Sequence, residues 1–153
     1  MRLTVAVVGK PRNAALGAAI QQYETRAARY WPLDVHEVKE ERGGSLSPSI
    51  VRQREGERLA RHIGASRMVV CDISGKSYTS ERFAEWLRSE RDHDHDLTFL
   101  IGGASGLSEE LVERSSARLA LAPWTLAHEL ARLVLAEQLY RAGTIVRGEP
   151  YHK

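Results

Sequence analysis

The run Leu97-Thr98-Phe99-Leu100-Ile101-Gly102-Gly103-Ala104-Ser105-Gly106-Leu107-Ser108-Glu109-Glu110 decides the fold class. Leu97 to Ile101 is a short apolar run of strand length. Glycines follow at once, and Ser108 then supplies a cap oxygen for a helix whose first turn carries Glu109 and Glu110, acids that complement the helix dipole. A strand that empties into glycines and then into a capped helix is a β–turn–α unit. Such glycines let a ligand approach the backbone and leave helix N–H groups facing it. The plainer reading is a tight turn. A dinucleotide fingerprint would need glycine at position 101, which is Ile101, and no Gly-Lys-Ser/Thr is present for a phosphate loop.

The same alternation extends outward in both directions. Upstream, Arg2 to Val8 reads as a strand ended by Gly9 and Pro11. A helix capped by Asn13 then runs to about Tyr30, with Leu16, Ile20 and Tyr23 at helical spacing. Leu33 to Val38 is a second strand, and Glu40 to Leu46, with Gly43 and Gly44, a mobile loop. Ser47-Pro48 starts an arginine-rich helix to about His62. Met68 to Ile73 is a strand, Ser74-Gly75-Lys76 a turn, and Thr79 or Ser80 opens a helix whose buried stripe is Phe83, Trp86 and Leu87. Downstream, Arg118 to Leu121 is a fifth strand, residues 122–126 a loop, residues 127–142 the last helix and residues 143–153 a tail. Strands alternating with helices predict an α/β protein with a mostly parallel sheet.

A chain of 153 residues fits one domain. No apolar run approaches the roughly 20 residues of a membrane span, and the amino terminus reads as a first strand rather than a signal peptide. The single cysteine, Cys71, excludes a disulfide framework and a cysteine-based zinc site, and makes cytoplasm the default compartment. A net charge of +2 is compatible with nucleic acid without demanding it.

Several side chains invite chemistry. Asp92-His93-Asp94-His95-Asp96 imitates a metal site, but neighbouring residues diverge, so a solvated loop is the expectation and no metal is predicted. His128 and Arg132, and likewise Glu137 and Arg141, are four apart and share helix faces. The second pair reads most simply as a helix salt bridge. A histidine at a helix start tends to stay neutral and can relay a proton. The tail Pro150-Tyr151-His152-Lys153 offers a stacking ring, a titratable group and a phosphate contact, although chain ends usually fray. Leu130, Leu133, Val134, Leu135 and Leu139 spread around more than one face of the last helix, cover for which a second subunit could provide.

Taken together, Ile101 to Leu107, His128-x-x-x-Arg132, the run Glu137-Gln138-Leu139-Tyr140-Arg141-Ala142-x-x-Ile145 and Pro150-Tyr151-His152 resemble the ribosomal RNA large-subunit methyltransferase H family of the SPOUT superfamily. The likeness spans the chain, including Ala6 to Lys10, Arg54 to Glu57 and Gly75-Lys76. It implies a SPOUT fold with a deep carboxyl-terminal trefoil knot over about residues 68–153, a homodimer, and S-adenosylmethionine (SAM) held by Cys71, Gly102, Leu121, Ala122, Pro123, Trp124, Thr125 and Leu126. It also implies methylation at N3 of a pseudouridine in helix 69 of 23S RNA within assembled 70S ribosomes. The chain departs from the family at Cys71, commonly leucine, and at Ala127, commonly proline.

The imide N–H at N3 must lose its proton before or during attack, so a base or a charge-stabilising cation is needed. His128 and His152 are candidates for proton handling, Arg132 and Arg141 for charge or phosphate, and Tyr151 for stacking on the base. The tail is expected to act across the dimer. Arg26, Arg29, Arg52, Arg54, Arg58 and Arg61 are candidate docking residues, with a solvated helix surface as the plain alternative. Competing readings are a non-catalytic RNA-binding or ribosome-assembly module, a flavodoxin-like nucleotide binder, and a knotted methyltransferase acting on transfer RNA.

Overall fold

A computed structural model describes residues 1–42 and 44–152. Gly43 of the expected loop and Lys153 of the tail lie outside the described residues. Five strands, β1 (Leu3–Val8), β2 (Leu33–Val38), β3 (Arg67–Lys76), β4 (Leu97–Ile101) and β5 (Ala117–Leu119), form one parallel sheet in the order β2-β1-β4-β3-β5. Five helices connect or follow them: α1 (Ala14–Ala27), α2 (Pro48–Ala60), α3 (Ser80–Asp92), α4 (Glu109–Arg114) and α5 (His128–Arg147). A flavodoxin-like sheet has the order 2-1-3-4-5. Here β4 is inserted between β1 and β3, which removes that reading.

The central strands β1 and β4 are almost continuously apolar and buried because helices cover both faces. Alternation assigns the two faces. Leu3, Val5 and Val7 point with Phe99 and Ile101 toward Ala27, Phe83, Leu87, Leu135 and Leu139 of α1, α3 and α5. Ala6, Val8, Val70 and Leu100 point the other way, toward Leu59 of α2 and Leu111 of α4. Trp31 anchors the first layer, donating from Nε1 to the Leu139 carbonyl at 2.8 Å in the core.

Four expected helix caps are in place: Asn13, Ser47, Thr79 and Ser108 each accept a backbone N–H from the first turn. Four expectations need correction. Ser74-Gly75-Lys76 is no free turn, since β3 continues to Lys76 through a bulge in which both Cys71 and Lys76 pair with Leu119. β5 is shorter and starts earlier than expected, at Ala117. Trp86 is only half-buried, while Phe83 and Leu87 are buried. Finally, α5 does not stop at Ala142 but runs to Arg147, where Gly148 ends it in the left-handed region at φ 69°.

β1 leads away to β2 on one side, and β4 leads away to β5 on the other. The gap between their carboxyl ends is a topological switch point, where open α/β sheets bind ligands. Gly9 and Gly102 begin the two diverging loops.

Candidate active site

A cleft of about 390 Å³ opens at the carboxyl ends of β3, β4 and β5. Its floor is the glycine turn after β4. A Cβ on Gly102 would stand 2.6 Å from the Gly106 carbonyl carbon, so only glycine lets the loop fold back on itself. Gly106 then donates to the Gly103 carbonyl at 3.0 Å and holds the turn shut. One wall is Cys71, Asp72 and Ile73 from the β3 bulge. The other is Leu121, Ala122, Trp124, Thr125 and Leu126 from the segment before α5. Of the residues expected to hold a cofactor, seven line this cleft; Pro123 is exposed and does not.

The lining is mostly apolar with few polar groups, and its volume lies within the roughly 300–1,000 Å³ of small-molecule sites. Asp72 adds a carboxylate at the rim, accepting from the Ser74 backbone N–H at 2.9 Å. Burial, with the nearby Asp72 charge second, pushes the Cys71 thiol up to about 12, so it presents a neutral wall. Trp124, 69% exposed, and Ile73, 57% exposed, leave apolar surface open at the mouth. Glycine backbone, apolar walls and a carboxylate together suit an adenosyl group carrying a cationic sulfonium.

His128, the first residue of α5, completes the cleft on the side of β1. A methyl group placed on Gly9 would lie 3.7 Å from His128 Nε2, so the imidazole sits over the switch point. Its ring enters no hydrogen bond among the described residues. Ala127 precedes it with φ −57°, the value a proline would impose, and provides no side-chain cap. Ala127 therefore holds the backbone angle of the proline that the resemblance leads one to expect there.

Arg132 lies one turn further along α5 and is buried. Its Nε and one terminal nitrogen donate to the two oxygens of Glu24 at 2.7 and 3.2 Å, and its other terminal nitrogen donates to Glu37 at 2.7 Å. Burial alone would lower the arginine pKa, but these two carboxylates outweigh it and the net shift is upward. The guanidinium expected to meet substrate is thus occupied by protein.

Arg141, Tyr151 and His152 assemble at the other end of the helix. Arg141 makes the expected bridge to Glu137, with Nε at 3.0 Å from Oε1, and lies 4.7 Å from the Tyr151 ring centroid. The Tyr151 hydroxyl donates to the same Glu137 oxygen at 3.1 Å. Burial first, then a hydrogen bond with Tyr23, raises the Tyr151 pKa and keeps the phenol neutral. Arginine can only donate, so His152 Nδ1 must accept from Arg141 at 3.3 Å. Its Nε2–H then points at Glu81, 2.6 Å away. Tyr151 and His152 are therefore docked rather than frayed.

Arg132 to Arg141 is nine residues, and His128 to Arg141 thirteen, so about 20 Å of helix separates His128 from the tail cluster. Within one chain the expected catalytic residues form two groups, not one. The expected docking arginines divide as well: Arg54 and Arg58 both pair with Glu41, and Arg26 packs on Tyr23 and Tyr140, whereas Arg29 and Arg61 are exposed. The Asp92–Asp96 run forms no metal cluster among the described residues.

Two site features were not among the expected site residues. Glu55 of α2 is buried beneath the glycine turn, its Oε1 accepting from the Glu41 backbone N–H at 2.9 Å and its Oε2 without a partner among the described residues. The Asp72–Ile73 wall exists only because β3 bulges against β5.

Residues 1–152 match the family model described as Predicted SPOUT methyltransferase. The chain is 56% identical to the Ribosomal RNA large subunit methyltransferase H of Gemmatimonas aurantiaca across 100% of both chains. It is 44% identical to the protein of that name from Anaeromyxobacter dehalogenans, again over 100% of both. Among solved structures it superposes on a probable methylase family protein from Haemophilus influenzae with a TM-score of 0.54 and 13% identity, covering 99% of this chain and 70% of that one; that likeness concerns the fold alone.

Proposed function

This chain belongs to the SPOUT methyltransferase family, among the ribosomal RNA large subunit methyltransferase H proteins, and on that premise we propose that it transfers a methyl group from SAM to N3 of a pseudouridine in helix 69 of the large ribosomal subunit. The observation that carries the reading is the convergence of Cys71, Gly102, Leu121, Ala122, Trp124, Thr125 and Leu126 on one cleft beside the switch point. Bound there, SAM supplies an activated methyl group and no metal is required. Gly102 and the apolar walls position it; Asp72 favours its cationic centre.

The residues of the chain must then bring up a nucleophile and take its proton. His128 is the candidate base, because it alone among the expected catalytic residues lines the cleft of its own chain. Arg132 is proposed as a positioning residue that fixes the first turns of α5 through Glu24 and Glu37. Arg141, Tyr151 and His152 lie too far along α5 to reach the same cleft, so the proposal places them in the site of a second subunit. Leu130, 41% exposed, with Trp124 and Ile73 near the cleft mouth, offers apolar surface for a homodimer to cover. In this arrangement Tyr151 stacks on the extruded base, Arg141 steadies the developing negative charge, and His152 assists with the proton. Knotting of residues 68–153 and action in the cytoplasm belong to the same proposal.

Transfer of labelled methyl from SAM to purified 70S ribosomes, with mass mapping of helix 69, tests it. Methylation at the pseudouridine is expected. Ribosome binding without SAM affinity would instead make this a non-catalytic RNA-binding module, and transfer to transfer RNA alone would overturn the target.

A further inference from the structure

Beside the cleft, at the carboxyl ends of β1 and β2, lies a larger groove of about 600 Å³ between the loop after β1 and the loop after β2. We propose that this groove holds the sugar–phosphate backbone of the substrate RNA next to the target nucleotide, with Lys10, Lys39 and Arg42 as its phosphate contacts. The inference rests on the RNA methyltransferase reading above and extends it to a strand path.

Three observations carry it. The first is position. Gly9 lies in this groove, and a methyl group on it would stand 3.7 Å from His128 Nε2 in the neighbouring cleft and 3.9 Å from Glu40 Oε2 in the groove. Groove and cleft therefore meet at one glycine, whose φ of 81° excludes an ordinary side chain. A strand lying in the groove would deliver its next nucleotide past His128.

The second is charge. The groove is lined by Lys10, Arg12, Lys39 and Arg42 and by Glu37, Glu40 and Glu41. Each acid already has a cation: Glu37 takes Arg132, Glu40 takes Arg12, and Glu41 takes Arg54 and Arg58. Lys10, Lys39 and Arg42 are exposed and enter no ion pair among the described residues. The surplus is positive, and it faces the groove.

The third is fixation. The loop carrying Lys10 and Arg12 is tied to the start of α5, because the Arg12 backbone N–H donates to Glu129 Oε1 at 2.8 Å. The loop carrying Lys39 is tied to α2, because Arg58 donates to the Lys39 carbonyl at 2.7 Å. Both cationic loops are thus held in register with the cleft. No aromatic ring lines the groove, so it suits phosphates rather than stacked bases.

The test compares the full-length protein with the variant Lys10→Ala/Lys39→Ala/Arg42→Ala, using SAM and 70S ribosomes. These side chains are exposed, so folding and SAM affinity by calorimetry are expected to stay within about twofold. The KM for ribosomes is expected to rise about 10- to 100-fold with kcat nearly unchanged. The slope of log KM against log salt should become shallower by about 2, since each lost phosphate contact removes about 0.7–0.9. The charge-retaining variant Lys10→Arg/Lys39→Arg/Arg42→Lys should restore both, and Arg88→Ala, an exposed arginine of α3 outside the groove lining, should change neither. An unaltered KM and salt slope in the triple variant, or a loss confined to kcat, overturns the groove. Failure of the unmodified protein to methylate ribosomes would instead sink the functional reading itself.

Discussion

The two ends of α5 are built oppositely. At its start, His128 lines the cleft, its ring in no hydrogen bond among the described residues, behind an alanine that caps nothing. At its finish, Arg141, Tyr151 and His152 are held by Glu137 and Glu81 in a closed network. Polar groups left open mark the place where a ligand is still to arrive. Polar groups already satisfied mark a part whose geometry is fixed before anything binds. If both ends serve one reaction, the open end of one helix needs the finished end of another.

The sharpest way to break this contrast is Arg132, which sits near the open end but is paired like the closed one. Arg132→Leu would leave Glu24 and Glu37 without their cation and should cost about 3–5 kcal/mol in chemical denaturation. A fully stable but inactive variant would show that Arg132 meets substrate instead.

Next in size is the composite site. His128→Ala and a chain ending at Pro150 should each lose at least about 100-fold in kcat as pure dimers, from absent proton handling and positioning. Mixed in equal amounts and reassembled, they should regain about one quarter of the unmodified rate, because half of the dimers then hold one intact site. No recovery would mean that the two ends of α5 work apart.

Gly102→Ala should weaken SAM binding by at least about tenfold in calorimetry, the floor of the open end being displaced by a contact of 2.6 Å. Unchanged affinity would move the cofactor elsewhere.

The smallest effect belongs to Glu55. Burial raises its pKa, so between the ordinary carboxylate value and the raised folded one the native state binds more protons than the unfolded chain. Stability therefore falls as pH rises through that window and then levels off. Glu55→Gln keeps the acceptor for the Glu41 N–H, abolishes the slope, and should add about 1 kcal/mol at pH 7, or about 2–4 °C in Tm. A Tm lowered at pH 7 would mean that the ionised carboxylate has a partner in solution.

Local signals were legible in the chain and non-local ones were not. Asn13, Ser47, Thr79 and Ser108 cap helices by contacts three residues away, and β2 and β4 have the expected bounds. Gly143 misled as a helix stop. It is an interior glycine, where a Cβ would stand 2.4 Å from the Tyr30 ring across the α1–α5 interface. The insertion of β4 beside β1 and the bulge of β3 against β5 depend on distant partners. So does Arg132, whose carboxylates stand 108 and 95 residues away. The candidate cofactor segment, residues 121–126, has no periodicity of its own, and only the family resemblance points to it.

Cys71 carries one last consequence. If SAM fills the cleft as proposed, a thiol stands beside a methylating reagent and is open to alkylation. Burial pushes its pKa up to about 12, which keeps the thiol un-ionised at neutral pH, and the un-ionised form is a poor nucleophile. This chain keeps its sulfur in the cleft wall and silences it by desolvation.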